Sequence, residues 1–99
     1  MIVPVTLIVV DKAAPETLNA IHAVVKTTAK GWWHRMSDVW IVGGEMTPSQ
    51  WRALLAPLVE APTVLLAVRL PSAPQERLWS IRGSKVDELA KWLHEYYRK

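Results

Sequence analysis

The sequence predicts an α+β fold of the ferredoxin-like type, in which four antiparallel strands carry two helices on one face. Three observations predict this fold. The chain has 99 residues, the size of a single domain. Strand-like and helix-like segments follow one another in the order β-α-β-β-α-β, with a β-α appendage after them. No internal repeat or linker interrupts that order, so we expect one domain over residues 1–99, with a core at 1–70 and the appendage at 71–99.

The first strand and helix are predicted by residue type and spacing. Residues 2–10 are rich in β-branched side chains and too few for a typical helix, which indicates a strand. Pro15 suits the first turn of the helix that follows. The inward stripe of this helix recurs at three- and four-residue steps: Leu18, Ile21, Val24, Val25 and Thr28. We expect Gly31 to end the helix in the left-handed conformation.

Turn and cap residues divide the rest of the core. Residues 32–36 and 39–43 predict either two strands joined at Ser37 and Asp38 or one long bent strand, and two glycines follow. The next helix begins with a capping box, because Thr47 and Gln50 have the spacing that lets each accept a backbone hydrogen bond.

That second helix is expected to be short or kinked, because Pro57 lies three residues from its end. A fourth strand follows at residues 63–70. In the appendage, residues 77–82 predict a fifth strand, and Ser84 is the expected cap of a last helix.

Composition excludes several classes of protein. Hydrophobic residues make up 51% of the chain and charged residues 21%, which is typical of a folded core. The absence of cysteine excludes a disulfide scaffold, a thiolate metal site and a cysteine nucleophile. The apolar start is shorter than the roughly 20 residues of a membrane span and has no basic leader, so we expect no signal peptide, no membrane contact and a cytoplasmic location.

Three of the predicted strands are apolar on both faces. In the first strand, one face carries Val3, Val5, Leu7 and Val9, and the other carries Ile2, Ile8 and Val10. In the third strand, one face carries Val39 and Ile41, and the other carries Trp40 and Val42. In the fourth strand, one face carries Val64, Leu66, Val68 and Leu70, and the other carries Leu65 and Ala67. Helices cover only one face of such a sheet. The other is covered either by the C-terminal helix or by a second copy of the chain, and we favour the homodimer.

Tryptophan usage fits an interface, because the chain has six Trp and no Phe. Trp32 and Trp33 are adjacent and must point to opposite faces of a strand. Trp51 and Trp92 are expected in the apolar stripes of their helices. A Trp-rich surface is therefore a candidate contact for a protein partner.

A modest basic excess suggests phosphate contacts. The formal net charge is +3, and the appendage mixes cations with Trp79, as nucleic-acid grooves do. The same mixture also suits an interface strand or a solvated face. The candidate nucleic-acid-binding residues are Lys12, Arg35, Arg77, Arg82 and Lys85.

A group of motifs resembles a known family. A strand ending in Asp11 and a helix are followed by Gly31-Trp32-Trp33-His34, by the pair Val39-Trp40, by a capped helix and by the strand at 64–68. Over roughly residues 3–70 this pattern resembles the SinR-like proteins, distant relatives of the small CRISPR-associated adaptation protein that forms the dimeric hub of the spacer integrase. VapD-type toxins belong to the same broad group.

The resemblance implies a ferredoxin-like homodimer in which the aspartate that ends the first strand faces its twin across the dimer axis. Several members of the group are metal-dependent nucleases, and others are structural platforms for DNA. Only Asp11 maps onto that aspartate. Val10 stands here in place of the aromatic residue that commonly precedes it, Lys12 follows it, and residues 71–99 lie outside the alignment.

Two readings of Asp11 are open. Twinned carboxylates would hold one Mg2+ or Mn2+, helped by Glu16 or Asp38, and the metal would activate a water and clamp the scissile phosphate. Alternatively, Asp11 caps the first helix or pairs with Lys12.

The other polar residues give weaker signals. His34 is a candidate general base or phosphate contact, although a lone strand histidine is more often simply hydrogen-bonded. His22 and His94 are expected to face solvent. No serine has a Gly-x-Ser-x-Gly context, and the paired glycines lack a phosphate-loop ending. We therefore expect a dimeric nucleic-acid-associated protein, with or without a metal-dependent endonuclease site. The alternative is a non-catalytic interaction or scaffold dimer.

Overall fold

The structure, a computed structural model, describes residues 4–70 of the chain. Its elements are β1 (Val5–Asp11), α1 (Pro15–Thr28), β2 (Gly31–Met36), β3 (Val39–Gly43), α2 (Pro48–Leu55), a 3-10 turn (Ala56–Leu58) and β4 (Val64–Arg69). This order confirms the predicted β-α-β-β-α-β core. The predicted fifth strand and last helix lie outside the described residues.

The four strands form one antiparallel sheet in the order β2-β3-β1-β4. α1 therefore joins two strands that flank β3, and α2 joins two strands that flank β1. In the register at the centre of the sheet, Ile8 lies between Trp40 and Ala67. A four-stranded antiparallel sheet with two helices is an α+β fold, and it is compatible with the ferredoxin-like arrangement.

Local sequence signals explain the boundaries of α2. The Thr47 side chain accepts from the backbone N–H of Gln50 at 3.1 Å, and the Gln50 side chain accepts from the backbone N–H of Thr47 at 2.8 Å. This confirms the capping box. The helix ends at Leu55 and continues as the 3-10 turn that contains Pro57, which confirms a short helix.

The predicted left-handed cap at Gly31 is wrong. The chain leaves α1 at Ala29 in an extended conformation, and Gly31 is already the first residue of β2. Sheet pairing starts at once, since the N–H of Lys30 donates to the carbonyl of Gly43 at 2.9 Å. No reversal of the chain is needed there. The glycine with positive φ in the described part is Gly44, at +149°, where β3 ends.

One face of the sheet packs against both helices. Its fully or nearly fully buried side chains are Ile8, Val10, Trp40 and Val42 from the sheet, Ile21 and Val25 from α1, and Trp51 and Leu55 from α2. Trp51 is thus a core residue, as predicted. Within residues 4–70, no helix has the length and apolar character that crossing a membrane requires.

The opposite side of the sheet, here called the second face, is also apolar. Its side chains alternate with those of the core and are Val5, Leu7, Val9, Trp33, Met36, Val39, Ile41, Val64, Leu66 and Val68. Val64 and Leu66 are 59% and 51% exposed, whereas Trp33 is only 7% exposed. The prediction of two apolar faces is confirmed. Trp32 and Trp33 lie on opposite faces, also as predicted.

Candidate functional site

Asp11 lies at the end of β1, on the second face and exposed to solvent. It pairs in register with Val64 of β4. The backbone carbonyl of Asp38 accepts from the N–H of Val10 at 2.9 Å, so the turn between β2 and β3 lies beside the same end of β1. The structure therefore brings Asp38, one of the two proposed helpers, next to the Asp11 position along the backbone.

Asp11 does not cap α1. The residue at the N-cap position is Ala14, and no side-chain cap hydrogen bond is present at that end. Lys12 instead turns the chain with a positive φ of 63°, and its carbonyl accepts from the Thr63 hydroxyl at 2.9 Å. This turn separates Asp11 from the helix, so the capping alternative is wrong. Lys12 is exposed beside Asp11, as a phosphate contact requires.

Of the other predicted phosphate-binding cations, the structure gives a position along the backbone for Arg35 alone. Arg35 belongs to β2, at the irregular stretch between Trp33 and Met36 where the register with β3 shifts. Arg77, Arg82 and Lys85 lie outside the described residues. In the part of the chain that the structure describes, no three His, Asp or Glu side chains form a group suited to a metal ion. A metal at Asp11 therefore needs ligands from water or from a second chain.

A second group of side chains was missed by the sequence analysis. His22 from α1, Trp32 and His34 from β2, and Trp40 from β3 form a histidine–tryptophan cluster between α1 and the β2 edge of the sheet. The His34 and Trp40 rings stack in parallel with centroids 4.2 Å apart. The His22 and His34 centroids are 4.8 Å apart, and His22 meets Trp32 edge-on at 4.9 Å.

The prediction that His22 faces solvent is wrong, because His22 is half-buried and hydrogen-bonded. Trp40 is fully buried, and its indole N–H donates to Nδ1 of His22 at 3.1 Å. A buried N–H without an acceptor is costly, and His22 supplies that acceptor. The spacing held a signal for this placement: His22 follows Leu18 by four residues and precedes Val25 by three, on the inward side of α1.

Hydrogen bonds define the tautomers of both neutral rings. Nδ1 of His22 accepts from Trp40, so the proton of neutral His22 is on Nε2. Nδ1 of His34 lies 2.9 Å from the carbonyl of Val39, which can only accept, so Nδ1 donates and Nε2 carries the lone pair. Burial lowers the pKa of His22, and the neighbouring His34 and Lys26 lower it further.

A pocket of about 180 Å3 opens beside this cluster, lined by Pro15, Leu18, Asn19, His22, His34 and Ser37. His22 and His34 both line it. In the neutral rings, Nε2 of His22 carries the proton and Nε2 of His34 carries the lone pair. A wider depression of about 390 Å3 lies beside the turn at Lys12, and its lining includes Thr17, Glu60 and Thr63 but not Asp11.

Comparison with family models, with curated proteins and with solved structures gives no significant match for this chain. Its likeness to the SinR-like proteins therefore stands as an expectation from the residues alone.

Proposed function

We propose that this protein is a homodimeric nucleic-acid-associated protein that assembles through the second face of its sheet. The single observation that carries the proposal is the exposure of Val64, Leu66 and Val68 on the face where Asp11 also lies. Burying such aliphatic side chains contributes about 25 cal/mol per Å2 of apolar area. A second copy of the same surface is self-complementary in this respect, since apolar side chains meet apolar side chains.

One buried hydrogen-bond donor lies on the second face. The indole N–H of Trp33 is buried there, and within the described part of the chain it has no hydrogen-bond partner. Buried polar groups are rarely left unpaired in folded proteins, because each one loses its hydrogen bonds to water. Because this N–H is already shielded from solvent in the single chain, a partner would make its contacts at the exposed side chains of Val64, Leu66 and Val68.

The position of Asp11 links assembly to chemistry. A dimer through the second face brings two copies of its exposed carboxylate to the rim of one interface. Carboxylate oxygens and water are the ligands that Mg2+ and Mn2+ prefer. A metal held there would activate a water for attack on a phosphodiester, and Lys12 would hold the phosphate nearby. Arg35, Arg77, Arg82 and Lys85 are the further proposed phosphate contacts.

The experiment measures assembly, binding and cleavage on the full chain. Light scattering should give twice the 11.2 kDa of one chain. Binding of labelled duplex DNA and single-stranded RNA should weaken as salt is raised, because phosphate contacts release counterions. Cleavage should require Mg2+ or Mn2+ and stop with a chelator. If light scattering gives the mass of a single chain at high protein concentration, the dimer is contradicted. If nucleic-acid binding does not weaken as salt is raised, the phosphate contacts are contradicted.

A non-catalytic interaction dimer is the second candidate, and the single carboxylate that each chain contributes at Asp11 favours it. Its contact surface would include the exposed aliphatic side chains of the second face. The Trp-rich contact surface stays a prediction, since Trp79 and Trp92 lie outside the described residues. Of the four tryptophans in the described residues, Trp33, Trp40 and Trp51 are buried, and Trp32 is 38% exposed. Salt-dependent nucleic-acid binding without cleavage under any metal would select this candidate.

A further inference from the structure

We propose that the pocket beside the histidine–tryptophan cluster binds one unstacked nucleobase. The inference rests on the proposed function, since nucleic acid is the source of the base, but it uses a different face of the molecule from Asp11. It assigns a role to His22, Trp32 and His34, which the metal chemistry at Asp11 does not use.

The pocket has the size and the openness for a single ring-sized group. Its volume of about 180 Å3 equals that of about six water molecules in the liquid. A duplex cannot enter a space of this size, whereas one splayed-out base can. Leu18 and Pro15 give it apolar walls, and Asn19 and Ser37 add polar groups at its rim.

The two histidines offer a complementary pair of hydrogen-bonding groups. With Nδ1 of each ring engaged inside the protein, neutral His22 presents Nε2–H as a donor and neutral His34 presents Nε2 as an acceptor. Nucleobases carry donors and acceptors side by side on their Watson–Crick and Hoogsteen edges, which proteins read in single strands. The rings are also fixed in place, because His34 stacks on buried Trp40.

Trp32 and Lys26 do not line the pocket, but both lie next to His22, which does. Trp32 is 38% exposed, is on the outermost strand β2 and touches His22 edge-on. Exposed aromatic rings beside cations are typical of single-strand binding, because bases stack on the rings while the cations hold the backbone. Lys26 is the cation here: it is exposed, follows His22 by one helical turn and lies near enough to lower its pKa.

A metal ion fits this pocket less well than a base. Only two imidazoles are present, and Nδ1 of each is already hydrogen-bonded inside the protein. No third His, Asp or Glu joins them in residues 4–70. A stable site for a transition metal needs three or four such ligands.

Nuclear magnetic resonance on the 15N-labelled full chain tests the proposal. The indole N–H signals of Trp32 and Trp40 and the ring signals of His22 and His34 are followed during two titrations. One uses nucleoside monophosphates with each of the four bases, and the other uses a ten-nucleotide single strand. We expect all four side chains to shift in a saturable way.

Variants then measure the contribution of each group to affinity for the single strand. Trp32→Leu should weaken binding about tenfold or more, because it removes the exposed ring beside the pocket on which the next base of the strand would stack. Stacking of one base is worth about 5- to 150-fold in affinity. Trp32→Phe should restore most of it. His34→Phe keeps a ring to stack on Trp40 but removes the acceptor, and it should also weaken binding. Lys26→Ala should reduce affinity more than Arg52→Ala, which removes an exposed cation from α2.

The outcomes separate this pocket from the proposed function. If the single strand binds while the four side-chain signals stay fixed, the pocket proposal is overturned and nucleic-acid association stands. If monophosphates shift the signals but neither single strand nor duplex binds, the pocket is a free-nucleotide site and nucleic-acid association fails. Equal affinity of wild type, Trp32→Leu and His34→Phe, each with an unchanged melting curve, overturns the pocket proposal.

Discussion

The buried indole of Trp40 donates a hydrogen bond to Nδ1 of His22 at 3.1 Å, and this bond joins the core of the sheet to the pocket at its edge. The bond requires a lone pair on Nδ1. Protonation of His22 would place two N–H groups against each other, so the bond favours the neutral ring. Burial also lowers the pKa of His22, and the neighbouring His34 and Lys26 lower it further.

The lowered pKa predicts that the free energy of unfolding falls as the solution becomes acidic. In the unfolded chain His22 takes up a proton near its ordinary value of 6.5, whereas the folded ring resists it to lower pH. Below about pH 6.5 the unfolded state therefore binds more protons, and stability is lost until folded His22 also titrates. Urea denaturation from pH 8 to 5 should show this loss. In His22→Gln the free energy of unfolding should fall less steeply as the pH is lowered. An unchanged dependence on pH would contradict the attribution of this loss to His22.

Trp40→Phe should raise the pKa of His22 towards its ordinary value. Phe keeps an aromatic ring in the core but has no N–H, so Nδ1 becomes free to accept a proton. Nuclear magnetic resonance of the His22 ring over pH 4 to 8 measures the shift. A Trp51→Phe variant serves as the control, because Trp51 is also buried but belongs to α2. It should leave the pKa of His22 unchanged, whereas the same rise in both variants would point to a general loosening of the core.

Leu66→Glu should convert the dimer to a monomer without loss of fold. Leu66 is 51% exposed on the second face, so the charge costs little in one chain and would be buried in the dimer. Leu54→Glu is the matched control, because Leu54 is 40% exposed on α2 and not on the sheet. Light scattering should report a halved mass for the first variant only. Loss of the dimer in both would place the interface elsewhere.

Asp11→Asn should abolish metal-dependent cleavage while it leaves the melting temperature near that of the wild type. The change removes the charge that would hold the metal and keeps the shape of an exposed side chain. Glu45→Gln removes an exposed carboxylate that lies 4.0 Å from Lys30, away from Asp11, and should keep the activity. Cleavage that survives in Asp11→Asn would exclude this site as the metal centre.

Thr47→Ala should lower the free energy of unfolding by about 1 kcal/mol, the usual cost of losing an N-cap. Both hydrogen bonds of the capping box depend on Thr47 and Gln50 facing each other at the start of α2. Ser49→Ala changes an exposed hydroxyl in the same first turn and should have little effect. Urea denaturation distinguishes the two, and equal stability of both variants would mean that α2 is held by packing alone.

Local rules account for most of the fold. The capping box, the proline after α2, the turn at Ser37 and Asp38 and the alternation along β1 and β4 act over a few residues, so they could be predicted from the sequence. The residue at which α1 ends could not be predicted from the sequence in this way. Gly31 has the residue type of a helix cap, but pairing with Gly43 extends the chain two residues earlier, and that pairing is a contact between distant segments.

The sequence by itself determined the order of elements, the two apolar faces and the position of Asp11 at the end of β1, because each depends on periodicity and on near neighbours. Only the tertiary structure decided where His22 points. It brought together residues 22, 34 and 40 from three elements, since the buried indole of Trp40 needed an acceptor and α1 crosses the sheet where His22 could supply it.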